Sequence, residues 1–209
     1  MVRGQLGRLR IAFSSNAVFS GVLQAYLLTF REMHPDVAVQ LVEMNGFDQI
    51  NAIGAGEVDF GYCALLCKAP GLATYPVGAW PWRIAMSERH PLAAFSELTP
   101  DQLKGQRFIF YTGKPGLSGQ ATAFRMLMGN EPDFAYTIPS SLATLASAAI
   151  GLGVVLVPQT LEAVQMPELT FRPIAAALSP SELHLLMRAD TESPIHHQYL
   201  STTGLALPS

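Results

Sequence analysis

The sequence predicts an α/β fold in which one strand–helix–strand–helix–strand plan is laid down twice. Three observations carry this. Short apolar runs alternate with amphipathic helical stretches, the order that makes the strands of a sheet pair in parallel. The order begins again at Arg107, after a polar connection over His90–Gln106. A near-repeat, AIGAGEVDF at Ala52–Phe60 and AIGLGVVL at Ala149–Leu156, falls between a helix and a strand in each copy.

The elements follow in order. Leu9–Phe13 is a short apolar run that reads as a buried strand. Ser14-Ser15-Asn16 supplies helix-capping residues, and Val22, Leu23, Tyr26, Leu27 and Phe30 then recur at helical spacing within one helix over Val18–Met33. His34-Pro35-Asp36 stops it. Val37–Glu43 alternates as a strand, Asn45-Gly46-Phe47 opens a short helix through Ile53, and Glu57–Cys63 returns as a strand. Tyr75–Ser87 is apolar but carries Pro76, Trp80, Pro81 and Trp82, which fits a strand pair or a crossing between copies. The polar connection holds one helical turn. The second copy reads strand 107–111, loop 112–119, helix 120–129, strand 134–138, helix 139–151 and strand 154–158. Strands over 169–174 and 182–188 and helical turns from about Ile195 close the chain.

The paired glycines invite a nucleotide reading, which their context rejects. A dinucleotide fingerprint needs glycines after a strand and before a helix, so that the helix N-terminus meets the phosphate. Here each pair ends a helix and precedes a strand, where glycine supplies a left-handed exit.

Composition narrows the function. Of 209 residues 49% are hydrophobic and only 14% charged, so the chain must bury a large core and is not disordered. A net charge of −3 argues against a basic nucleic-acid footprint. No apolar run spans a membrane and no signal peptide is visible, so a cytoplasmic protein is expected. Cys63 and Cys67 have no second ligand pair and no histidine near them in sequence, and read as reduced structural thiols.

Ligands of open α/β sheets gather at the carboxyl ends of strands, beside helix N-termini. Four places qualify: Ser14, Ser15 and Asn16; Asn45, Gly46 and Phe47; Thr112, Gly113 and Ser118 in the loop after strand 107–111; and Ser140 with Ser141. Tyr62 lies at the end of the strand between them. Their hydroxyls and backbone N–H groups suit a carboxylate or similar anion. Each could also be an ordinary helix cap. No catalytic motif is found. PGLSGQ is not a nucleophile elbow, because Gly119 directly follows Ser118, and metal-binding and phosphate-binding signatures are absent. His34 and His90 read as turn residues, His196 and His197 as surface, His184 as core or surface, and Asp59 as a structural hydrogen-bonding group.

The motifs GRLRIAF, LLTFREMHPDVAVQLVE, IGAGEVDFGYC, RIAMSERHPLA and AAIGLGVVLVPQ, in this order over nearly the whole chain, resemble the effector-binding domain of LysR-type transcriptional regulators. The resemblance implies a periplasmic-binding-protein type II fold of two Rossmann-like lobes. Lobe I would hold 8–85 and 173–209 and lobe II 86–172, with crossings near Ile84–Ser87 and Arg172–Ile174. It implies a small-molecule effector in the cleft between lobes, on the four places named above, binding by population shift without cofactor or catalysis. Many relatives place Ser or Thr where this chain has Asn45 and Gly46. The family's N-terminal winged helix-turn-helix and linker helix are not in this chain, which begins close to the junction glycine Gly7. DNA would be bound only through that missing part. Self-association is expected, as a dimer and, in the full-length protein, a tetramer, with 18–33 and 120–128 as candidate surfaces. Rival readings are a free-standing solute-binding protein, an enzyme such as a dehydratase on the same fold, and a regulator whose cleft is filled by Phe47 and Tyr62.

Overall fold

The structure, a computed structural model, describes residues 7–64, 70–111, 119–130 and 134–205. The chain forms two compact units. Unit 1 holds Met1–Gly78 and Glu182–Ser209, and unit 2 holds Ala79–Ser181.

Unit 1 is built on strands β1 (Gly7–Phe13), β2 (Val37–Glu43), β3 (Phe60–Cys63), β4 (Leu72–Trp80) and β10 (Ser181–Arg188), in the order β2-β1-β3-β10-β4. β1 runs parallel to β2, from Gly7↔Val37 to Phe13↔Glu43, and parallel to β3. β10 returns antiparallel to β3, placing His184 opposite Cys63 and Leu186 opposite Gly61. Side chains alternate across the sheet. Phe60 and Tyr62 point to the face where their rings meet Tyr199 of α7 (Pro194–Thr202) and Tyr26 of α2 (Val22–Met33). Gly61 and Cys63 point to the other face, which α3 (Gly46–Gly54) covers. There Ala12, Ala52, Ile53, Val58, Cys63 and Leu186 form a buried apolar cluster, with Met44, Ile50 and Leu72 packed against it.

The expected helix over Val18–Met33 is two helices. α1 (Ser15–Phe19) ends at Ser20, and α2 starts after Gly21, whose φ of 78° lies in the left-handed region. Helical spacing marks the apolar face through this break but does not register a single glycine that redirects the backbone.

Unit 2 contains β5 (Trp82–Ser87), β6 (Phe108–Tyr111), β7 (Phe134–Ile138), β8 (Val155–Pro158) and β9 (Leu169–Pro173). β8-β5-β9 is antiparallel and β6-β7 parallel. A parallel bridge between Phe108 and Val154, with Ile109 N–H donating to Val154 O at 2.9 Å, sets β6 beside β8. The order β7-β6-β8-β5-β9 therefore repeats the β2-β1-β3-β10-β4 order of unit 1. α5 (Gly119–Met128) and α6 (Ser141–Ala149) complete the second copy, and α4 (Pro100–Leu103) is the helical turn of the connection. The core gathers Trp82, Ile84, Met86, Leu98, Phe108, Phe124, Val154 and Leu156.

The passages between units fall at Gly78/Ala79 and Ser181/Glu182. The family resemblance puts them at 84–87 and 172–174. Those residues are instead paired within unit 2, since β5 hydrogen-bonds to β8 on one edge and to β9 on the other.

The near-repeat does end both helices. The left-handed exit falls on Gly56 after α3 (φ 70°) and on Gly151 after α6 (φ 83°), the second glycine of one pair and the first of the other. Gly153 is required by packing as well, because a Cβ there would collide with the Arg107 carbonyl group on the approach to β6.

Candidate functional site

The carboxyl ends of β1, β2 and β3 bring two of the anticipated loops side by side in unit 1. Ser14 continues the ladder, its N–H donating to Tyr62 O at 2.8 Å, and its carbonyl accepts from Ala17 N–H at 2.9 Å. It occupies the N-cap position of α1, yet its side chain makes no capping bond. Its Oγ is buried with no hydrogen-bond partner. Leaving a hydroxyl in that state costs roughly 1–3 kcal/mol. Ser15 and Asn16 follow it, both buried.

Asn45 is differently employed. Its Oδ1 accepts from Phe47 N–H at 3.1 Å and Asp48 N–H at 3.0 Å, and its Nδ2 donates to Asp48 Oδ2 at 2.6 Å. It is the N-cap of α3, worth about 1 kcal/mol. Gly46 and Phe47 form the first turn of that helix.

Tyr62 requires a correction. Its side chain is wholly buried, its hydroxyl lies 2.7 Å from that of Tyr199, and its ring packs near Tyr26. Burial, with Tyr199 beside it, raises its pKa well above the usual phenol range, so it stays neutral. The ring faces α2 and α7. What Tyr62 offers the loops is its carbonyl, which takes the Ser14 N–H.

Sequence reasoning missed Gln49. It is fully buried in α3, and its Nε2 donates to Met44 O at 2.9 Å and Tyr62 O at 3.2 Å. It therefore ties the exit of β2 to the end of β3. Its Oε1 is buried without a partner against Gly61, where a Cβ would come within 2.7 Å of it. The available signal was a glutamine on the apolar stripe it shares with Ala52 and Ile53.

In unit 2, Ser140 is exposed and caps α6, its Oγ accepting from Ala143 N–H at 3.3 Å. Ser141 begins that helix and is buried. Thr112, Gly113 and Ser118 lie outside the described residues. Gln120 plays the part in unit 2 that Gln49 plays in unit 1. Its Oε1 accepts from Tyr111 N–H at 3.0 Å and its Nε2 donates to Leu156 O at 2.6 Å, clamping β6 to β8.

The strongest electrostatic cluster sits toward the opposite strand ends of unit 1. Asp59 accepts from Arg10 N–H at 2.7 Å and from its Nη2 at 2.6 Å, with His196 Nε2 at 3.2 Å. Burial alone would raise this carboxyl, but bonds from His196 and Arg10 outweigh it and bring the pKa down to about 2. Asp59 is thus a structural group, as its place in the sequence suggested. His196 is not the surface residue expected, because its Nδ1 also meets Thr191 Oγ1 at 2.6 Å, anchoring α7 on both sides of the ring. Among the described residues no three His, Cys, Asp or Glu side chains form a group that could hold a metal ion.

Comparison with known proteins agrees with this geometry. The family described as LysR substrate binding domain matches residues 3–201. An uncharacterized HTH-type transcriptional regulator of Escherichia coli K12, YnfL, is 27% identical over 94% of this chain and 65% of its own length. The HTH-type transcriptional regulator BudR of Raoultella terrigena is 26% identical over 90% and 66%. The chain thus spans about two thirds of the length of these curated relatives. Among solved structures, the BenM effector binding domain with benzoate superposes with a TM-score of 0.78 at 22% identity, covering 95% of this chain and 91% of that one. The effector binding domain of QuiR in complex with shikimate gives 0.83 at 14% identity, covering 94% and 95%. These likenesses establish the two-lobe periplasmic-binding-protein type II fold.

Proposed function

We propose a ligand and a site for this chain, starting from the premise that it belongs to the LysR substrate binding domain family and is the effector-binding domain of a LysR-type regulator. The effector is a small organic carboxylate. Its binding groups in unit 1 are Ser14, Ser15 and Asn16, with the first turn of α3 at Gly46 and Phe47 beside them. Ser140 and Ser141, and the loop of Thr112, Gly113 and Ser118, serve in unit 2. The domain performs no catalysis. Asn45 contributes by fixing the first turn of α3, and Tyr62 only through its backbone carbonyl.

The observation that carries the reading is Ser14 Oγ, buried at a strand end without a partner. Benzoate and shikimate, bound by the BenM and QuiR domains, are both carboxylates, which supports the ligand class. Binding acts by shifting the population between conformational states of the domain.

In the whole protein, DNA is read by a part outside this chain, and the domains self-associate in the cytoplasm. Leu28 and Met33 on α2 and Met126 on α5 are exposed apolar side chains that support such a contact. No helix among the described residues is long and apolar enough to cross a membrane. The domain is expected to elute as a dimer in light-scattering chromatography, and Leu28→Glu to elute as a monomer.

A thermal-shift series with benzoate, shikimate and related acids tests the ligand. At a hundredfold excess over Kd, binding adds about 2.7 kcal/mol of apparent stability. Asn16→Leu is expected to abolish the shift while leaving the melting temperature of the free protein within a few degrees. If no carboxylate moves the melting temperature, or if Asn16→Leu responds like the parent, the reading is wrong.

A further inference from the structure

We propose that Gln49 is the positioning residue of the effector site, holding the Ser14 loop and the first turn of α3 in one frame through a closed ring of hydrogen bonds. Its role in ligand binding rests on the carboxylate reading above, whereas the ring itself does not. The ring crosses the carboxyl ends of β2, β1 and β3. Gln49 Nε2 donates to Met44 O at 2.9 Å. Met44 N–H donates to Phe13 O at 3.0 Å. The same Phe13–Ser14 peptide unit donates, through Ser14 N–H, to Tyr62 O at 2.8 Å. Tyr62 O also accepts from Gln49 Nε2 at 3.2 Å, which closes the circuit.

The chemistry of the link requires an amide. Two carbonyl oxygens face one nitrogen that carries two protons, so the orientation of the Gln49 amide is set: turned over, it would aim Oε1 at both carbonyls. A leucine or methionine offers no donor, and an ionised glutamate only acceptors. Gln49 is wholly buried, so its bonds are shielded from competing water and are stronger for it.

Packing alone does not explain a glutamine here. Its Oε1 is buried without a partner, a state that destabilises the fold. Room for that oxygen exists only because residue 61 is glycine: a Cβ there would come within 2.7 Å of Oε1 and 2.9 Å of Ile53 Cδ1. On the stripe it shares with Ala52 and Ile53, a leucine would fill the space and leave no orphan acceptor of its own. What the leucine could not do is hold two strand ends.

The ring governs both halves of the unit 1 site. The Phe13–Ser14 peptide is gripped on two sides, which fixes where β1 delivers Ser14. Met44 directly precedes Asn45, the N-cap of α3, and Gln49 N–H donates to Asn45 O at 3.1 Å. The same residue thus sets the turn that presents Gly46 and Phe47. Linked hydrogen bonds polarise one another, so removing one link weakens the rest and releases both loops together. An effector meets two loops already placed, and little ordering entropy is left for binding to overcome.

The test is amide hydrogen exchange on the 209-residue chain without ligand, followed by calorimetry with benzoate and with shikimate. Gln49→Leu is expected to lower the protection factors of Ser14 and Met44 N–H together, about tenfold. Ile109 N–H, bonded to Val154 O in unit 2, should exchange as in the parent. Affinity for the acid that binds should also fall about tenfold. Gln49→Glu gives a signature that packing would not. Burial and two facing carbonyls disfavour the ionised form, so the introduced carboxyl titrates above its usual value of about 4.3. Only the protonated form donates, and to one carbonyl. Protection and affinity should therefore be lowest near about pH 8 and recover as pH falls toward about 5.5. Glu43, Asp48, Cys63 and His184, on the surrounding elements, are present in every variant, so the parent and Gln49→Leu correct for their titration. Circular dichroism verifies folding; if Gln49→Leu does not fold, the pH response of Gln49→Glu decides. Unchanged protection at either Ser14 or Met44 overturns the ring, as does a loss shared equally by Ile109 or a Gln49→Glu response independent of pH. If the parent binds neither acid, the carboxylate reading loses its support while exchange still decides the ring. If Gln49→Leu binds as tightly as the parent, the positioning role is overturned and the carboxylate reading stands.

Discussion

Cys63 and His184 in unit 1 occupy the register that Pro158 and Trp82 occupy in unit 2. Each is the end residue of the third strand in the shared order, facing its antiparallel neighbour. In unit 2 the pair is closed: Trp82 joins the core, and its Nε1 donates to Ser179 O at 2.9 Å. In unit 1 the histidine keeps a buried Nδ1 without a hydrogen-bond partner. Below them both units use the same device, a buried glutamine whose amide holds a backbone carbonyl of that third strand, Tyr62 O from Gln49 and Leu156 O from Gln120. Strand order follows from apolar alternation and helix placement, which say nothing about the last residue of a strand. That row is where the two copies diverge in chemistry.

The glycines of the near-repeat give the largest expected effect. Gly56 and Gly153 align in sequence, but only Gly153 abuts a neighbouring backbone. Gly153→Ala drives a methyl into the Arg107 carbonyl, which cannot swing aside as a side chain could, and is expected to cost about 3 kcal/mol or more. Gly54, in the last turn of α3, has nothing within 4 Å of the added Cβ and no positive φ. Gly54→Ala should be neutral or stabilise by up to about 1 kcal/mol. Urea midpoints of the two variants decide it. Equal effects would show that the two junctions are packed alike.

The Asp59 cluster is a feature of unit 1 that the comparison sharpens through pH. The carboxyl titrates at about 2 in the folded chain against an ordinary value of 3.8. A depressed folded-state value means that its stabilisation is complete above about pH 4 and is lost as pH falls toward 2. The shift corresponds to about 2 kcal/mol. Asp59→Asn should therefore lower stability at pH 7 by about that amount and flatten the acid limb of a melting-temperature profile between about pH 4 and 2. An unchanged acid limb would show that another carboxylate controls acid unfolding.

Much of this was legible beforehand. The β-α-β-α-β order, its repetition and the helix-ending role of the glycine pairs follow from local patterns that short segments carry by themselves. Ser14, Asn45 and Ser140 were found because capping residues at strand exits have a recognisable chemistry. Three features were not legible for physical reasons. Tyr62 was misplaced because a residue at a strand end can face either side of a sheet, and only the packing partners Tyr199 and Tyr26 decide which. Gln49 was passed over because a glutamine on an apolar stripe looks like a surface residue until its two carbonyl partners are known. The Cys63–His184 pair depends on the antiparallel register of β10 with β3, a contact between distant segments that no local pattern encodes.

The smallest effect separates two serines that look alike in sequence. Ser14 and Ser140 both precede a helix and both occupy an N-cap position. Ser140 uses its hydroxyl, so Ser140→Ala removes a capping bond and should cost about 1 kcal/mol, somewhat less at this 3.3 Å distance. Ser14 makes no such bond, and its buried Oγ is a liability in the free domain. Ser14→Ala should then leave stability unchanged or raise it by a few tenths of a kcal/mol. With a bound carboxylate the sign reverses: a hydroxyl that donates to an ionised oxygen is worth about 1.5–3 kcal/mol, so the same variant should weaken binding on the order of 10–100-fold. Chemical denaturation without ligand and calorimetry with it measure both halves. Loss of stability in the free Ser14→Ala domain would show that the hydroxyl is already satisfied, and unchanged affinity would move the ligand away from β1.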